Sequence, residues 1–391
     1  MFAIVSRQHG FGRVVKPAGS LGTTARGVVL PSSTIKGMPS RSLVLLPVVV
    51  LAILATGRGV SAQHPGFERL PTEIFDVAPP SARVRGVPGV MAVQPRVCRT
   101  LPTADTRRRI VDVAVQEWAF FGFRLAAAND TEDNDQPPTL TRDEGEPRRG
   151  RRSRLPPAEA ERVAASIAGY WAVTAEGSWI VARQNDRWNL DGIAARWNAP
   201  WSAAFVSWVM CEAGLGATTR FQRAIAHYTY IDQAIRARDG IASQSAFAAY
   251  DPGETGIEPG DLLCSSRRPT YRTIAERRRQ MGVGARSHCD VVVSVDQPGK
   301  RFLAIGGNVR GVVSLKSFPA ILELGKPLRL DTGNGERRIF AHLKLRAGAV
   351  DSRAIETSPT VQASACAVGT AVRARRLAPP LAAAGIVAVR C

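Results

Sequence analysis

The sequence predicts an α+β fold in which N-terminal helices pack on an antiparallel sheet. Up to about residue 240, apolar residues recur at the helical spacing of three and four positions. From residue 262 onward, short runs rich in Val, Ile and Leu take over. Helices first and a meander of strands afterwards is typical of an α+β domain. With 391 residues, 45% of them hydrophobic, the chain can bury a substantial core in one or two domains.

Four stretches before residue 240 have helical periodicity. Pro200 is compatible with a first helical turn, and Gly214 is a natural stop for the helix that follows it. The first predicted helix begins at Thr103 or Asp105 and has an apolar face that reaches Phe121. The other three span 158–175, Pro200 to Gly214, and 221–237. The tryptophan-rich stretch 179–197 is predicted to be a connection.

The strand signals follow the turn Pro259-Gly260-Asp261. Strands are predicted at 262–264, 288–295, 302–305, 309–315 and 339–345. Residues 267–286 are interpreted as a basic, loop-like excursion. Within it, Arg277-Arg278-Arg279 is either a solvated face or a contact for an anionic polymer.

The N-terminal 62 residues are interpreted as a leader and signal peptide. The apolar run 43–55 follows Arg41 and precedes Val60-Ser61-Ala62, the order expected of a secretory signal. Met38 would make a more ordinary start of such a signal. The run is shorter than the ~20 residues of a membrane span, so no stable span is expected in the mature chain. We expect cleavage near Ala62 and a periplasmic or secreted protein.

The remaining chain divides by composition. Residues 63–100 are predicted to be a proline-rich linker, 101–346 the α+β domain, 129–157 a flexible insertion within it, and 347–391 a disordered tail rich in Ala and Arg.

The basic charge has two interpretations. The net charge is +19, and residues 1–62 hold seven Arg or Lys and no acid, which leaves +19 − 7 = +12 for the rest. The positively charged residues are nearly all arginine. This bias reflects either coding composition or a surface selected for anionic partners such as cell-wall polymer or nucleic acid. No aromatic-interleaved basic motif is present, so a nucleic-acid partner is not expected.

The cysteines do not form a metal-binding pattern. The six are Cys98, Cys211, Cys264, Cys289, Cys366 and Cys391. None belongs to a CxxC pair, and the chain has no HExxH motif, so neither a metal nor another cofactor is expected. In an oxidising exterior, Cys264 and Cys289 either form a cross-strand disulfide or remain buried thiols.

Ser202 is the candidate nucleophile. It shares a helical stripe with Phe205, Val206 and Val209, so it faces the core or a cleft. It also lies at a helix N-terminus, where N–H groups favour negative charge. A small polar residue in that position suits a nucleophile or a helix cap.

Two of the histidines are excluded as candidate site residues by their position in the sequence. Of five, His9 lies in the leader and His64 in the linker. His288 opens the strongest strand signal, where alternation places His288 and Asp290 on one face and Cys289 on the other. His227 either contacts substrate or is a hydrogen-bonded core histidine, and His342 is interpreted as structural.

Four motifs together carry a resemblance. They are Trp201-Ser202-Ala203-Ala204-Phe205-Val206, Pro259-Gly260-Asp261-Leu262, His288-Cys289-Asp290-Val291-Val292 and Gly306-Gly307-Asn308. In this order they resemble the motifs of papain-like cell-wall amidases, the NlpC-type peptidases and CHAP amidases. More narrowly, the run from about 101 to 345 is similar to the bacterial family called domain of unknown function 2272.

The resemblance implies a papain-like core and a site. Ser202 falls on the nucleophile, His288 on the base and Asn308 on the orienting amide. The chain departs from the pattern in having Ser202 where the amidases have cysteine, and Gly306 where they have glutamate. We expect the substrate contacts to be Trp201, His227, Tyr230 and Asp290.

Two functions follow from the resemblance. The chain is either an active serine amidase acting on the peptide part of peptidoglycan, or a peptidoglycan-binding module that kept the cleft and lost the cysteine. Peptidoglycan or its peptide fragments are the expected partner, and the protein is expected to be a monomer.

Overall fold

The computed structural model describes residues 67–130, 156–331, 339–371 and 379–386. The leader and signal peptide predicted at 1–62 lie outside these residues. So does 131–155, most of the predicted insertion, and so do parts of the predicted tail.

Nine helices are assigned within these ranges. They are α1 Thr72–Phe75, α2 Thr106–Phe120, α3 Pro157–Trp171, α4 Gly177–Asp191, α5 Ser202–Glu212, α6 His227–Arg238, α7 Ile274–Arg278, α8 Pro359–Ala371 and α9 Pro379–Ala383, with a 3-10 turn at Pro80–Arg83. Helices α2, α3 and α5 lie where the periodicity predicts them. Helix α6 begins at His227, six residues later than the predicted 221. Helix α4 occupies the stretch that was predicted to be a connection.

The strands of the same ranges form one large sheet and one small ribbon. They are β1 Val84–Arg85, β2 Ala92–Val93, β3 Arg124–Ala126, β4 Phe247–Tyr250, β5 Leu262–Arg268, β6 Arg286–Asp296, β7 Arg301–Val309, β8 Val312–Ile321, β9 Arg329–Leu330 and β10 Ile339–Leu345. The large sheet has the order β3-β8-β7-β6-β5-β10-β4, and β9 pairs with β8. The predicted α+β class is therefore confirmed.

One pairing departs from the antiparallel sheet predicted. Strand β3 runs parallel to β8 at the sheet edge, while the other pairings of the large sheet are antiparallel. The chain reaches β3 directly from α2 through Gly122 and Phe123, both of which have positive φ. These two residues turn the chain from α2 into β3.

Helix α5 lies at the centre of the core. Each of its residues is buried, and it packs against α2, α3 and the strands β6 and β7. Gly307 permits this approach, because a Cβ there would lie 2.5 Å from Cβ of Phe205. The Trp201 ring, just before the helix, stacks on Tyr170 at 5.7 Å and on Phe121 at 5.9 Å between centroids.

Both segments flanking the domain contain ordered elements. Residues 67–100, predicted to be a linker, hold α1, the 3-10 turn and the β1–β2 ribbon. Arg83 of this segment is buried and forms an ion pair with Glu212 at 2.7 Å. The predicted disordered tail contains α8 and α9, with Val361 and Ile386 buried. Apolar residues that follow no helical or strand periodicity are thus sufficient to pack these segments against the domain.

Two disulfides join the described cysteines. Cys264 and Cys289 stand opposite each other in β5 and β6 and are bonded, so the disulfide alternative is confirmed. Cys98 and Cys211, 113 residues apart, form a second bond that no spacing predicted. It ties the N-terminal segment to the end of α5.

The basic run at residues 277–279 is not uniformly solvated. Arg277 is buried, and its guanidinium donates to both carboxylate oxygens of Asp232 at 2.7 Å. The solvated-face interpretation is therefore wrong for this residue, because a buried carboxylate on α6 compensates the charge. Arg278 pairs with Asp239 at the surface. In the described ranges no helix combines the length and apolarity that crossing a bilayer requires.

Candidate functional site

Ser202 and His227 meet at the N-terminal ends of two helices. Ser202 is the first residue of α5 and His227 the first of α6. The Ser202 Oγ lies 2.6 Å from His227 Nε2, and the two side chains belong to residues only 1% and 3% exposed. The N-cap of α5 is Trp201, which makes no side-chain cap bond, so Ser202 does not cap the helix. Its hydroxyl engages an imidazole instead.

Tyr230 contacts the other nitrogen of the same ring. One helical turn after His227, the Tyr230 hydroxyl is hydrogen-bonded to His227 Nδ1. A neutral imidazole has one N–H donor and one acceptor nitrogen. The two hydroxyls therefore play opposite roles: one donates to the ring and the other accepts from it.

A second buried histidine is held by a carboxylate. His288 Nε2 lies 3.0 Å from Asp290 Oδ1, and both residues are on one face of β6, as alternation predicts. Lys316 of β8 places its Nζ 3.0 Å from Oδ1 and 3.1 Å from Oδ2 of the same carboxylate. Burial alone would raise the pKa of Asp290, but the Lys316 ammonium and the His288 ring hold it below its ordinary value.

The two imidazoles face each other across the core. Their ring centroids are 5.4 Å apart. Burial lowers the pKa of His227 well below its ordinary value, and the nearby His288 and Arg267 side chains lower it further. His227 is therefore neutral at neutral pH, in a site where it can accept a proton.

Gly306 makes room for this arrangement on β7. A Cβ at that position would lie 2.0 Å from Asp290 Oδ1 and 2.9 Å from His288 Nε2. The register of β7 against β8 shifts between Gly306 and Val309, an irregularity of the kind that glycines in a strand permit. The carboxylate next to His288 thus comes from β6. Strand β7 leaves room for it because Gly306 has no side chain.

An aromatic cleft opens beside the buried pair. It holds about 630 Å³ of empty space, open solvent included. Its wall includes Trp188, Trp197, Trp201, Asn308, Arg196 and Arg310. Asn308 has a left-handed backbone, with φ of 56°, and is 7% exposed.

The structure brings together most of the predicted site residues, with different neighbours. Ser202 contacts His227, which was expected among the substrate contacts, while the base expected from the resemblance, His288, contacts Asp290. Asn308, expected from the resemblance to orient the base, lines the cleft. Of the other expected substrate contacts, Trp201 lines the cleft. Tyr230 and Asp290 instead contact the buried rings of His227 and His288.

Lys316 is a site residue that sequence reasoning missed. It is 1% exposed within the apolar strand β8. A lysine inside an apolar run, in a chain with only six lysines, is the signal that points to a buried counter-charge. Arg267 was likewise assigned to a loop, yet it lies on β5 close enough to lower the pKa of His227.

Comparison with known families supports the narrower resemblance. Residues 159–329 match the model of a family described as "Uncharacterized protein conserved in bacteria (DUF2272)". The match runs from α3 to β9 and so includes Ser202, both buried histidines and Lys316. Searches of curated proteins and of solved structures found no significant match. The wider resemblance to papain-like amidases stays a prediction.

Proposed function

We propose that the protein is an exported serine hydrolase that cleaves amide bonds in the peptide part of peptidoglycan. The observation that carries the proposal is the 2.6 Å contact between Ser202 Oγ and His227 Nε2. A nucleophile needs a base within hydrogen-bond reach, and the base needs a third group to fix its tautomer. His227 supplies the base and the Tyr230 hydroxyl the third group. His227 thus replaces His288 as the base, which the resemblance alone would not have suggested.

The reaction proceeds by acyl transfer through Ser202. Its Oγ bonds to the carbonyl carbon while its proton passes to His227 Nε2, and the carbonyl oxygen takes the negative charge. The amide C–N bond then breaks, and the proton on Nε2 goes to the leaving amine. Water hydrolyses the resulting ester and restores the Ser202 hydroxyl. First-turn N–H groups of α5 stabilise the oxyanion, as helix N-termini do elsewhere.

The cleft beside Ser202 supports a substrate of mixed character. Indole rings of Trp188 and Trp197 offer faces for sugar or methyl groups, and Arg196 and Arg310 offer donors for carboxylates. Peptidoglycan peptides carry free carboxylates next to amide bonds and are linked to sugars. The substrate class itself rests on the resemblance to the cell-wall amidases.

The test is release of muropeptides from purified sacculi, followed by mass spectrometry. Wild-type protein is expected to release fragments, and Ser202→Ala to release none. His227→Gln is expected to lower the rate by about 10²–10⁴-fold, the usual contribution of a general base. Ser202→Cys is expected to stay active, because the same base serves a thiol.

Ser207→Ala is the matched control. Ser207 lies on the same helix, is equally buried, and bonds only the main chain of Ala224 among the described contacts. Its removal should leave the rate per folded molecule unchanged. Equal rates for wild type and Ser202→Ala would exclude the proposed nucleophile.

A second candidate, a non-catalytic peptidoglycan-binding module, is favoured by the burial of the pair. Ser202 and His227 are 1% and 3% exposed, whereas Trp197 lines the adjacent cleft and is half-buried. A ligand can occupy that cleft without reaching the serine. In this case the aromatic wall binds and Ser202 contributes only to the fold.

Sedimentation with sacculi tests this candidate. Trp197→Ala should reduce the bound fraction, while Trp179→Ala, which removes an indole that is 60% exposed and outside the cleft, should not. Binding that depends on Trp197 without any release of fragments would favour the binding module over the hydrolase.

A further inference from the structure

The two buried histidines have different neighbours, and these neighbours assign them different charges. Asp290 is ionised, and an ionised carboxylate only accepts hydrogen bonds. The 3.0 Å contact with His288 Nε2 therefore requires a hydrogen on that nitrogen. The contacts of His227 are with the hydroxyls of Ser202 and Tyr230, neither of which supplies a negative charge.

The surroundings of the pair are otherwise positive. Lys316 approaches from β8, where it contacts Asp290, and Arg267 approaches from β5. From α6, the His227 ring lies next to the ring of His288. Two protonated imidazoles with centroids 5.4 Å apart would repel each other strongly in such a buried place.

We propose that His288, with Asp290 as its counterion, is the first of the two imidazoles to take up a proton, and that His227 stays neutral beside it. The inference deepens the proposed function, since a neutral His227 is the form that accepts the Ser202 proton. His288 and Asp290 are then positioning residues that act through His227.

Gly306 and Lys316 both affect the contact between Asp290 and His288 on which the proposal depends. Gly306 leaves the space that lets Asp290 reach Nε2, since any side chain there would displace the carboxylate. Lys316 shares both oxygens of Asp290 and so competes with His288 for the negative charge. Removing Asp290 and removing Lys316 should therefore shift the titration of His288 in opposite directions.

The experiment is an NMR titration of the protein labelled with ¹⁵N at its histidine rings, which reports the charge and tautomer of each ring. In the wild type, His288 is expected to stay protonated to higher pH than His227. Asp290→Asn should lower the titration midpoint of His288, and Lys316→Met should raise it. His288→Gln should raise the midpoint of His227.

Asp296→Asn is the matched control for Asp290→Asn. Asp296 lies on the same strand and pairs with Arg301 at 2.8 Å, so its loss should move neither midpoint. A wild type in which His227 gains its proton before His288 would overturn the inference, as would shifts of the same sign for Asp290→Asn and Lys316→Met. Circular dichroism of each variant separates unfolding from a change in charge.

The readout does not depend on activity. If sacculi remain uncut while the titration order is as expected, the proposed function fails and the charge assignment stands. If fragments are released but the order is reversed, the hydrolase stands and the charge assignment fails.

Discussion

Two buried histidine–carboxylate pairs in one sheet make an instructive comparison. At the candidate site, His288 pairs with Asp290 at 3.0 Å, and on β10 His342 pairs with Asp261 at 2.7 Å. Both histidines are fully buried. Burial and the distance between imidazole and carboxylate are therefore similar in the two pairs.

The partners of the two carboxylates differ in kind. Asp261 accepts from the backbone N–H groups of Glu258 and Leu345 and from the Arg107 guanidinium. Arg107 also donates to three carbonyl oxygens, among them that of Pro259 at 2.6 Å, and pairs with the Glu258 carboxylate at 3.2 Å. This group, which we call the Asp261 clamp, fastens α2 to the turn before β5 and to the end of β10.

The serine–histidine cluster, made of Ser202, His227, Tyr230, His288, Asp290 and Lys316, is built from side chains. Its members come from α5, α6, β6 and β8, and the contacts between them join hydroxyl, imidazole, carboxylate and ammonium groups. Main-chain partners hold a fold together, whereas titratable side chains facing each other are arranged for proton movement. The comparison therefore predicts that substitutions in the Asp261 clamp lower the free energy of unfolding, whereas substitutions in the serine–histidine cluster change the protonation of its histidines.

The largest expected effect is on the clamp. Arg107→Met leaves the Asp261 carboxylate buried without its guanidinium, a change that typically costs about 3–5 kcal/mol. Urea unfolding should report that loss, while the ring titrations of His227 and His288 stay unchanged. Arg278→Met is the control, because Arg278 and Asp239 are 37% and 29% exposed in their ion pair, and its loss should cost less than about 1 kcal/mol. Similar losses for the two variants would contradict the clamp.

A smaller effect is expected from Gly306→Ala. The added Cβ would lie 2.0 Å from Asp290 Oδ1, so the carboxylate must move away from His288. Overpacking of this kind costs about 1–3 kcal/mol in unfolding free energy, and here it should also lower the midpoint of the His288 titration. Gly284→Ala, where a Cβ meets nothing within 4 Å, should change neither quantity.

The smallest expected effect is a pH dependence of stability. The folded-state pKa of His227 is lowered, so between that pKa and the ordinary value near 6.5 the unfolded chain binds a proton that the folded chain does not. The free energy of unfolding should therefore fall as pH falls below about 6.5, by at most about 1.4 kcal/mol per pH unit for this one group.

His227→Gln should flatten this dependence, and Ser207→Ala should retain it. Chemical unfolding at a series of pH values measures both slopes. Equal slopes in wild type and His227→Gln would show that the histidine does not carry the expected charge change.

The fold could be predicted where one face of an element is apolar. Helices α2 and α3 have such a face, and the strands β6 and β7 contain the apolar runs 291–293 and 302–305. Helix α4 was missed because polar Gln184 and Asn185 belong to its buried face. Their amides bond the main chain of Asn198 and Met91, so tertiary contacts supply what hydrophobic periodicity lacks.

The candidate site could be predicted in part for a similar reason. Alternation along β6 correctly put His288 and Asp290 on one face, and Ser202 correctly faced inward. The pairing of Ser202 with His227 depends on how two helix ends meet, and no local pattern specifies that. The sequence His227-Tyr228-Thr229-Tyr230 at a helix start does contain the spacing that lets Tyr230 reach the ring.

The bond between Cys98 and Cys211 has a consequence for the covalent connectivity of the molecule. A peptide bond cut anywhere between these residues leaves two fragments that remain linked through sulfur. A protease acting there would produce a nicked protein that migrates as one species on a gel until a reductant is added. The piece that begins before Cys98 would stay attached to the end of α5, and with it to the helix that bears Ser202.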